Sequence, residues 1–512
     1  MPSENNKRIA KNTVLLYFRS IIVMLISLYT SRVVLKVLGV ENYGIYNVVG
    51  GLVSMFSLMS SSMVAASSRF ITFELGRNNF DKLKKTVDGC ITIHILLGLI
   101  ILVVAEIIGV WFLNYKMNIA PDRIVAANWV FQCSLLTFFF NLINTPYTAI
   151  IVSHEKMNAF AYISILEVSM NLLGVFLLSW MLFDKLITYA FLMLSISVLL
   201  RIIYQIYCKI HFSEARQIKM KIDSVLFKQL FSFTGWEMVG ASAYFLNRQG
   251  IDILLNLFFG VVVNAAKGVA NQVQSAVYVF VSNFQMAINP QITKNYAAGD
   301  YQRVHFLLNQ GTRFSFYLFL LLSMPVILET KMILNLWLGK GNVPDYSAIF
   351  IRLAFINLLI DCLYRFMVVA ISATGRIKKY QLVVGGIKLL ALPLTYLFLK
   401  IGGSPVTGLL VVISLEVLGA YFNLYFAHNM VGLDIKKFLK EVVAKSMAVM
   451  AVAFILPLLI KFYLTAVNQY LYLGIIISVS LLSCTLSIYY IGLVQAEKRM
   501  LINMILKRLR NF

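Results

Sequence analysis

Fifteen ionisable side chains fall inside long apolar runs of this chain, where charge is expensive. They are Arg19, Arg32, Glu106, Glu167, Arg201, Glu237, Arg248, Asp252, Lys267, Arg313, Arg352, Asp361, Arg365, Lys388 and Glu416. At the centre of a bilayer-spanning helix each costs about 2.5–3.5 kcal/mol, so each should face the protein interior or a wet cavity. Nine are basic and six acidic, an excess of three positive charges. A cationic lumen suits an anionic cargo such as a pyrophosphate or a sugar acid, and arginine offers a planar fork that such groups accept in pairs. Arg19, Arg32, Arg248, Lys267, Arg313, Arg352, Arg365 and Lys388 are therefore the candidates for binding cargo. Glu237, Asp252, Asp361, Glu106, Glu167 and Glu416 are the candidates for holding a coupling proton or cation.

Spacing adds detail. Arg248 and Asp252, and again Asp361 and Arg365, are four residues apart, which places each pair on one helix face. Each pair is either a switch, in which an anion or a proton competes for the arginine, or a static pair that makes its charges tolerable. Arg19 and Arg32 share a helix and lie thirteen residues apart; Arg32 is placed to snorkel outward. His94 reads as a satisfied core residue, and the other four histidines form no ligand cluster. No metal site, Walker A loop, HExxH or nucleophile elbow is present. The five cysteines, Cys90, Cys133, Cys208, Cys362 and Cys484, lack CxxC spacing and read as small core residues.

The elements that position these residues are membrane helices. Of 512 residues 60% are apolar and 13% charged, with a mean hydropathy of +0.81, which excludes an ordinary soluble protein. Apolar runs of about twenty residues recur, and in lipid only a helical bundle satisfies so many backbone groups. Fourteen spans are expected: 12–38, 43–70, 87–113, 124–152, 160–182, 186–209, 226–258, 262–290, 306–329, 346–371, 379–400, 405–428, 441–463 and 470–493. With the N-terminus inside, Lys and Arg in the connections divide 28 to the inner side and 8 to the outer. That asymmetry places both termini in the cytoplasm and turns the +23 net charge into topology, not nucleic-acid binding. No cleavable signal peptide is expected. Pro146, Pro290, Pro325, Pro393 and Pro457 are expected kinks, and the small residues of 60–68 a close-packing face.

Residues 39–83 reappear 221 positions later as 260–304 without a gap. The identities are Gly39/Gly260, Val40/Val261, Val48/Val269, Ser54/Ser275, Ser61/Ser282, Ala66/Ala287, Ile71/Ile292 and Thr72/Thr293. Turn, helix and basic loop align together, as in a duplicated transporter. The expected organisation is an N-terminal lobe over 1–211, a linker over 212–225 and a C-terminal lobe over 226–430. Two further helices follow over 431–493. A basic amphipathic tail over 494–512, with Met500, Leu501, Met504, Ile505 and Leu509 on one face, is expected to lie on anionic lipid.

Against that background the opening pattern, Lys11-Asn12-Thr13 into Ser31-Arg32-Val33 and then Leu38-Gly39-Val40-Glu41-Asn42-Tyr43-Gly44, carries a resemblance. It resembles the polysaccharide transporters, or O-unit flippases, of the multidrug/oligosaccharidyl-lipid/polysaccharide (MOP) exporter superfamily. Asn264-Ala265-Ala266, Ala270-Asn271-Gln272 and the Ala373-Thr374-Gly375-Arg376 turn are also similar. The resemblance implies two lobes of six helices and alternating access in a bacterial inner membrane. It implies an undecaprenyl-pyrophosphate-linked oligosaccharide as cargo and a Wzx-like role in polysaccharide assembly. The partners it implies are that cargo, membrane lipids and other assembly proteins, with no nucleic acid. No cofactor is expected, and coupling to a proton or sodium gradient stays open. Export of drugs or another amphiphile on the same fold is the alternative, and a membrane-embedded glycan polymerase a more distant one. The polymerase would need a sizeable catalytic loop on the outer face, which the connections do not supply.

Overall fold

The computed structural model describes residues 2–499 apart from 55, 116, 118, 220–223, 340, 464–467 and 496. Of the expected amphipathic tail over 494–512, residues 496 and 500–512 lie outside the described residues. Among those described the chain is all-helical, with no strand.

In order the helices are α1 (Pro2–Ser54), α2 (Ser57–Gly76), α3 (Phe80–Tyr115), α4 (Ile124–Ser153), α5 (Met157–Trp180) and α6 (Lys185–His211). The second series is α7 (Ser224–Phe259), α8 (Val261–Ala297), α9 (Tyr301–Leu328), α10 (Thr330–Leu338), α11 (Ser347–Ala373), α12 (Lys378–Leu389), α13 (Ala391–Lys400) and α14 (Pro405–Val431). The short α15 (Ile435–Phe438) runs through a π-helical turn, Leu439–Ala444, into α16 (Lys445–Tyr463). Last comes α17 (Gln469–Ser487), which ends in a second π-helical turn, Ile488–Gly492.

Eleven stretches of the described residues are long and apolar enough to cross a membrane. The expected spans over 43–70, 226–258 and 262–290 are helical but do not stand among those eleven. These are the expected helices in which serine, asparagine, glutamine and charged residues most often interrupt the apolar pattern. Their backbone hydrogen bonds are closed, but their side chains need protein or water to face.

The repeat has a physical signature. Gly39 breaks α1 with φ 78° and ψ 166°, a conformation that a Cβ makes costly, and Gly260 separates α7 from α8 with φ 76°. The same 221-residue offset pairs Asn78, φ 53°, with Gly299, φ 79°, in the turns before α3 and α9. Two left-handed turns at matching places are a closer correspondence than eight identities among small and apolar residues.

Two compact units emerge. The first comprises 1–242 with 293–300, the second 243–292 with 301–512. In the first, α1 packs on α5, and α4 on α6 and α3. Its apolar core includes Ala105, Val130, Phe131 and Leu186, with Val34, Leu38, Val175 and Leu178 forming a second cluster. Gly109 lets α3 approach the Phe131 ring, whose Cζ would lie 2.3 Å from an added Cβ. In the second unit α11 packs on α14 and α9, and its core includes Phe316, Phe319, Phe350 and Phe355. All five cysteines are buried.

Outside the spans, local electrostatics finish the helix ends. Asp184 caps α6, accepting from the Leu186 and Ile187 N–H groups at 3.0 and 3.1 Å and pairing with Arg123 at 2.5 Å. Partial burial pushes its carboxyl up, but these donors outweigh it and hold the group below the usual carboxylate range. Past α6, Glu214 accepts from His154 Nε2 at 2.6 Å, and the His154 ring stacks on Phe212. Burial raises this carboxyl too, but the His154 bond and charge, a backbone N–H and Ser213 together hold it below the usual range.

Asp184→Ala should cost about 1 kcal/mol, the usual worth of an N-cap. Because the native carboxyl is depressed, its contribution is present above the unfolded value near pH 4 and is lost as pH falls through the folded one. Thermal unfolding of wild type and variant in detergent at pH 7 and at progressively lower pH measures it; the two midpoints should converge in acid.

Candidate functional site

The charges of the second unit gather around α11. This helix carries Asp361, Tyr364 and Arg365 within two turns, so its side chains at i, i+3 and i+4 present one polar stripe. The arginine closes on the aspartate, Arg365 to Asp361 Oδ1, at 3.8 Å. Tyr278 of α8 brings its hydroxyl within 3.4 Å of Asp361 Oδ2 and 3.3 Å of Gln285 Oε1.

The second pair is assembled across helices. Lys388 Nζ of α12 lies 3.9 Å from Glu416 Oε1 of α14, and the Tyr364 hydroxyl donates to the same glutamate oxygen. Pro393 supplies no N–H to continue the ladder, and α12 gives way to α13 at Leu390. Asn247 of α7 caps the break, donating to the Lys388 carbonyl at 2.7 Å, while the Tyr244 ring faces the Lys388 ammonium at 5.4 Å. Close approach of α7 depends on Gly250, where a Cβ would meet Leu392 Cδ2 at 2.2 Å.

Exposure divides these four charges by sign. The Asp361 and Glu416 side chains are 13% and 12% exposed, those of Arg365 and Lys388 46% and 22%. Both carboxylates are withdrawn and hold a phenol as well as a base, and Arg365 is the most exposed of the four. Both ion pairs are also longer than a tight charge-assisted bond of about 2.7–2.9 Å, which leaves the bases able to take a competing anion.

The other candidates are placed differently. Asp252 makes no ion pair within 4 Å among the described residues, although Arg248 is four residues away on α7. Lys267 of α8, like Arg248, lies within electrostatic reach of it. Asp252 Oδ1 and Asn264 Oδ1 are buried without a hydrogen-bond partner, and Arg248 is exposed.

Arg313 is held inside the fold by the Gly492 carbonyl at 3.0 Å and Glu497 at 2.7 Å. Arg352 donates to the Ile327 carbonyl at 3.0 Å and Thr330 Oγ1 at 3.2 Å. In the first unit the Arg19 guanidinium lies 4.6 Å over Phe160 and within electrostatic reach of Glu167, while Arg32 is exposed. Arg201 donates to the Tyr147 hydroxyl at 3.2 Å and to Gln205 at 3.1 Å. Glu106 is exposed and accepts from Gln132 at 2.7 Å, and Glu237 is half-buried on α7. His94 is buried with Nδ1 on the Cys90 carbonyl at 2.7 Å.

Three contributors escape a search for charge alone: Tyr278, Tyr364 and Asn247. Tyr364 had a visible signal, since it sits between Asp361 and Arg365 at helical spacing. Asn247 interrupts the apolar pattern of its own helix in the sequence, whereas Tyr278 comes from another helix and had no such signal. No group of His, Cys, Asp and Glu that could hold a metal ion occurs among the described residues.

The MatE family model matches this chain over 16–177 and again over 241–397, more than half of its length. The chain belongs to the MatE family. Its members are transporters and not enzymes. The two matches begin 225 residues apart, close to the offset of the internal repeat. No curated protein matches the chain.

Among solved structures the MatE chain is similar to an outward-facing multidrug resistance MATE transporter of the MOP superfamily. The identity is 11% and the TM-score 0.71, over 84% of this chain and 96% of the other. A MATE protein in a bent conformation aligns at 13% identity and TM-score 0.73, over 85% and 96%. A MOP superfamily transporter from Pyrococcus furiosus, described for a binding pocket of reverse polarity, aligns at 12% and 0.70, again over 85% and 96%. At such identities the likeness establishes the fold.

Lys388→Met should destabilise the protein by roughly 3 kcal/mol, because it leaves Glu416 shielded from water without its base. Adding Glu416→Leu should recover most of that loss. Unfolding midpoints of wild type, both single variants and the double variant measure the coupling; simple additivity would show that the pair is not engaged.

Proposed function

We propose that this MatE-family protein is a flippase for an anionic lipid-linked oligosaccharide, carrying it from the inner to the outer leaflet of a bacterial cytoplasmic membrane. Both termini then lie in the cytoplasm, in keeping with the 28-to-8 division of basic residues. The observation that carries the reading is the sorting of charge around α11, with Arg365 and Lys388 accessible and Asp361 and Glu416 withdrawn.

A pyrophosphate is well matched to that arrangement. It can take the planar donors of Arg365 and the point charge of Lys388 together, and both bonds to their carboxylates are long enough to exchange. Asp361 and Glu416 keep a phenol donor each when their bases turn away. A proton taken up by either carboxylate would then neutralise what the departing base leaves behind, which gives a route for coupling to a proton gradient. Arg248 and Lys267 supply further positive charge on α7 and α8. No bond in the cargo is made or broken; binding from one side and release to the other suffice. Membrane lipid and other polysaccharide-assembly proteins are the expected company, without a cofactor.

A second reading, export of a drug or other amphiphile, is favoured by the likeness to a multidrug resistance MATE transporter. A cationic drug would call for accessible carboxylates and withdrawn bases, the opposite of the sorting seen around α11. The Pyrococcus furiosus transporter, whose pocket of reverse polarity suggests a different function, is a precedent within this fold for changed pocket charge.

Mass spectrometry of lipid-linked glycans in a strain lacking the gene separates the two. A completed repeat unit should accumulate on the inner leaflet, and wild type should clear it. With Arg365 and Lys388 both changed to alanine, clearance should drop roughly tenfold to a hundredfold, since a hydrogen bond to a charged group contributes about 1.5–3 kcal/mol. Unchanged glycans with altered retention of cationic dyes would select the exporter instead.

A further inference from the structure

The most closely held carboxylate in the first unit plays no part in the cluster around α11. Glu155 lies in the turn between α4 and α5, in the left-handed conformation at φ 59°. The hydrogen bonds around it, Glu155 N to the Val152 carbonyl at 2.9 Å and Lys156 N to Ile151 at 3.0 Å, form the turn that ends many helices. Glycine is the usual occupant of that place because a Cβ is strained there. Gly375, φ 75°, fills the corresponding turn after α11. A glutamate retained at such a backbone position calls for a reason in its side chain.

The side chain supplies one. Glu155 is 4% exposed, yet both its oxygens are engaged by bases at 2.8 Å: Oε2 by Arg8 Nε of α1, and Oε1 by Lys294 Nζ of α8. Its backbone carbonyl accepts from Asn12 at 3.3 Å, and its neighbour Ser153 shares a 2.7 Å hydrogen bond with Thr72 of α2. One carboxylate thus ties the start of α1 and the last turn of α8 to the end of α4.

A second observation concerns the same turn of α8. A Cβ on Gly76, the last residue of α2, would lie 2.5 Å from the Lys294 carbonyl oxygen, 2.7 Å from Lys294 Cα and 2.9 Å from Ala297 Cβ. The backbone of α8 therefore rests directly on a bare stretch of α2. Residues 293–300 pack with the first unit, whereas the preceding residues of α8 pack with the second. The Gly76 contact and the charge of Glu155 both bear on 293–300.

We infer that Glu155 is an ionic latch for the end of α8, holding residues 293–300 docked on the first unit in this conformation and releasing them when Lys294 leaves the carboxylate. The strained backbone is tolerated because it aims the carboxylate at Lys294 and Arg8 together. Two ion pairs on one carboxylate are separable without unfolding either helix, as a transporter that changes arrangement requires. The inference does not depend on the cargo.

Hydrogen–deuterium exchange on the full-length protein in lipid nanodiscs tests it, comparing wild type with Glu155→Gly, Glu155→Gln and Gly76→Ala. Glu155→Gly suits the backbone of the turn better than glutamate while removing the carboxylate, so strain in the turn is not a competing explanation. Exchange of the amides over 293–300 should quicken roughly tenfold or more in all three variants, while those of mid-α4 stay protected. Unchanged exchange over 293–300 in Glu155→Gly and Glu155→Gln would overturn the latch. So would faster exchange spread equally through α4 and α5, which would make Glu155 a support for its own turn only.

Discussion

A charge removed from water must be answered by the protein, and in an apolar bundle that requirement decides which helices are tied together. Answers come here in two forms. Asp361 and Arg365 answer each other along one helix, and the Tyr278 hydroxyl of α8 reaches that pair from outside it. Arg313 reaches the Gly492 carbonyl and Glu497, Lys461 reaches Glu329 and the Leu328 carbonyl, and Lys388 reaches Glu416; each of these fixes one helix against another. Both C-terminal helices are attached in this second way. Lys461 of α16 pairs with Glu329 at 2.8 Å just past the end of α9, and Tyr472 of α17 donates to the same carboxylate at 3.0 Å. Arg313, within α9, is occupied by the π-helical turn beyond α17.

Static and accessible charges are therefore distinguishable by their surroundings, though they look alike in the chain. Arg313 is buried and bonded to a backbone carbonyl and a carboxylate at 3.0 Å or less, so an anion would have to break two good bonds to take it. Arg365 is half-exposed and holds its carboxylate at 3.8 Å, so competition there costs little. Among the eight cationic candidates, Arg365 and Lys388 are the two that face a carboxylate at the longer distances of 3.8 and 3.9 Å.

Much of the architecture was legible because apolar run length and helical spacing are local properties. The helical class, the turn at Gly39 repeated at Gly260 and the meeting of Asp361 with Arg365 all follow from residues near one another in the chain. Local spacing also misled. Arg248 and Asp252 stand four apart like the α11 pair, yet they form no ion pair within 4 Å, and Lys267 of α8 is a third charge within electrostatic reach. Where three charges compete, spacing on one helix does not choose the partner. Arg313 and Glu497 are 184 residues apart, and no periodicity joins them. Glu155 sits in a connection, where a carboxylate is ordinarily solvated, and only its φ and its burial mark it out.

The π-helical turn at Ile488–Gly492 shows how backbone and charge depend on each other. Its wider ladder sends Leu493 N to the Ile488 carbonyl at 2.9 Å, and the chain then leaves the helix, so the carbonyls at the end of the turn lack helical donors. Gly492 allows α9 to come close: a Cβ there would meet the Tyr317 ring at 2.9 Å. Arg313 then donates to the Gly492 carbonyl, and the Tyr317 hydroxyl lies 3.5 Å from the same oxygen. The arginine satisfies an orphaned carbonyl, the carbonyl and Glu497 satisfy the arginine, and the glycine permits both. Each member would be costly alone, and together they attach α17 to α9 without placing a free charge in the bundle.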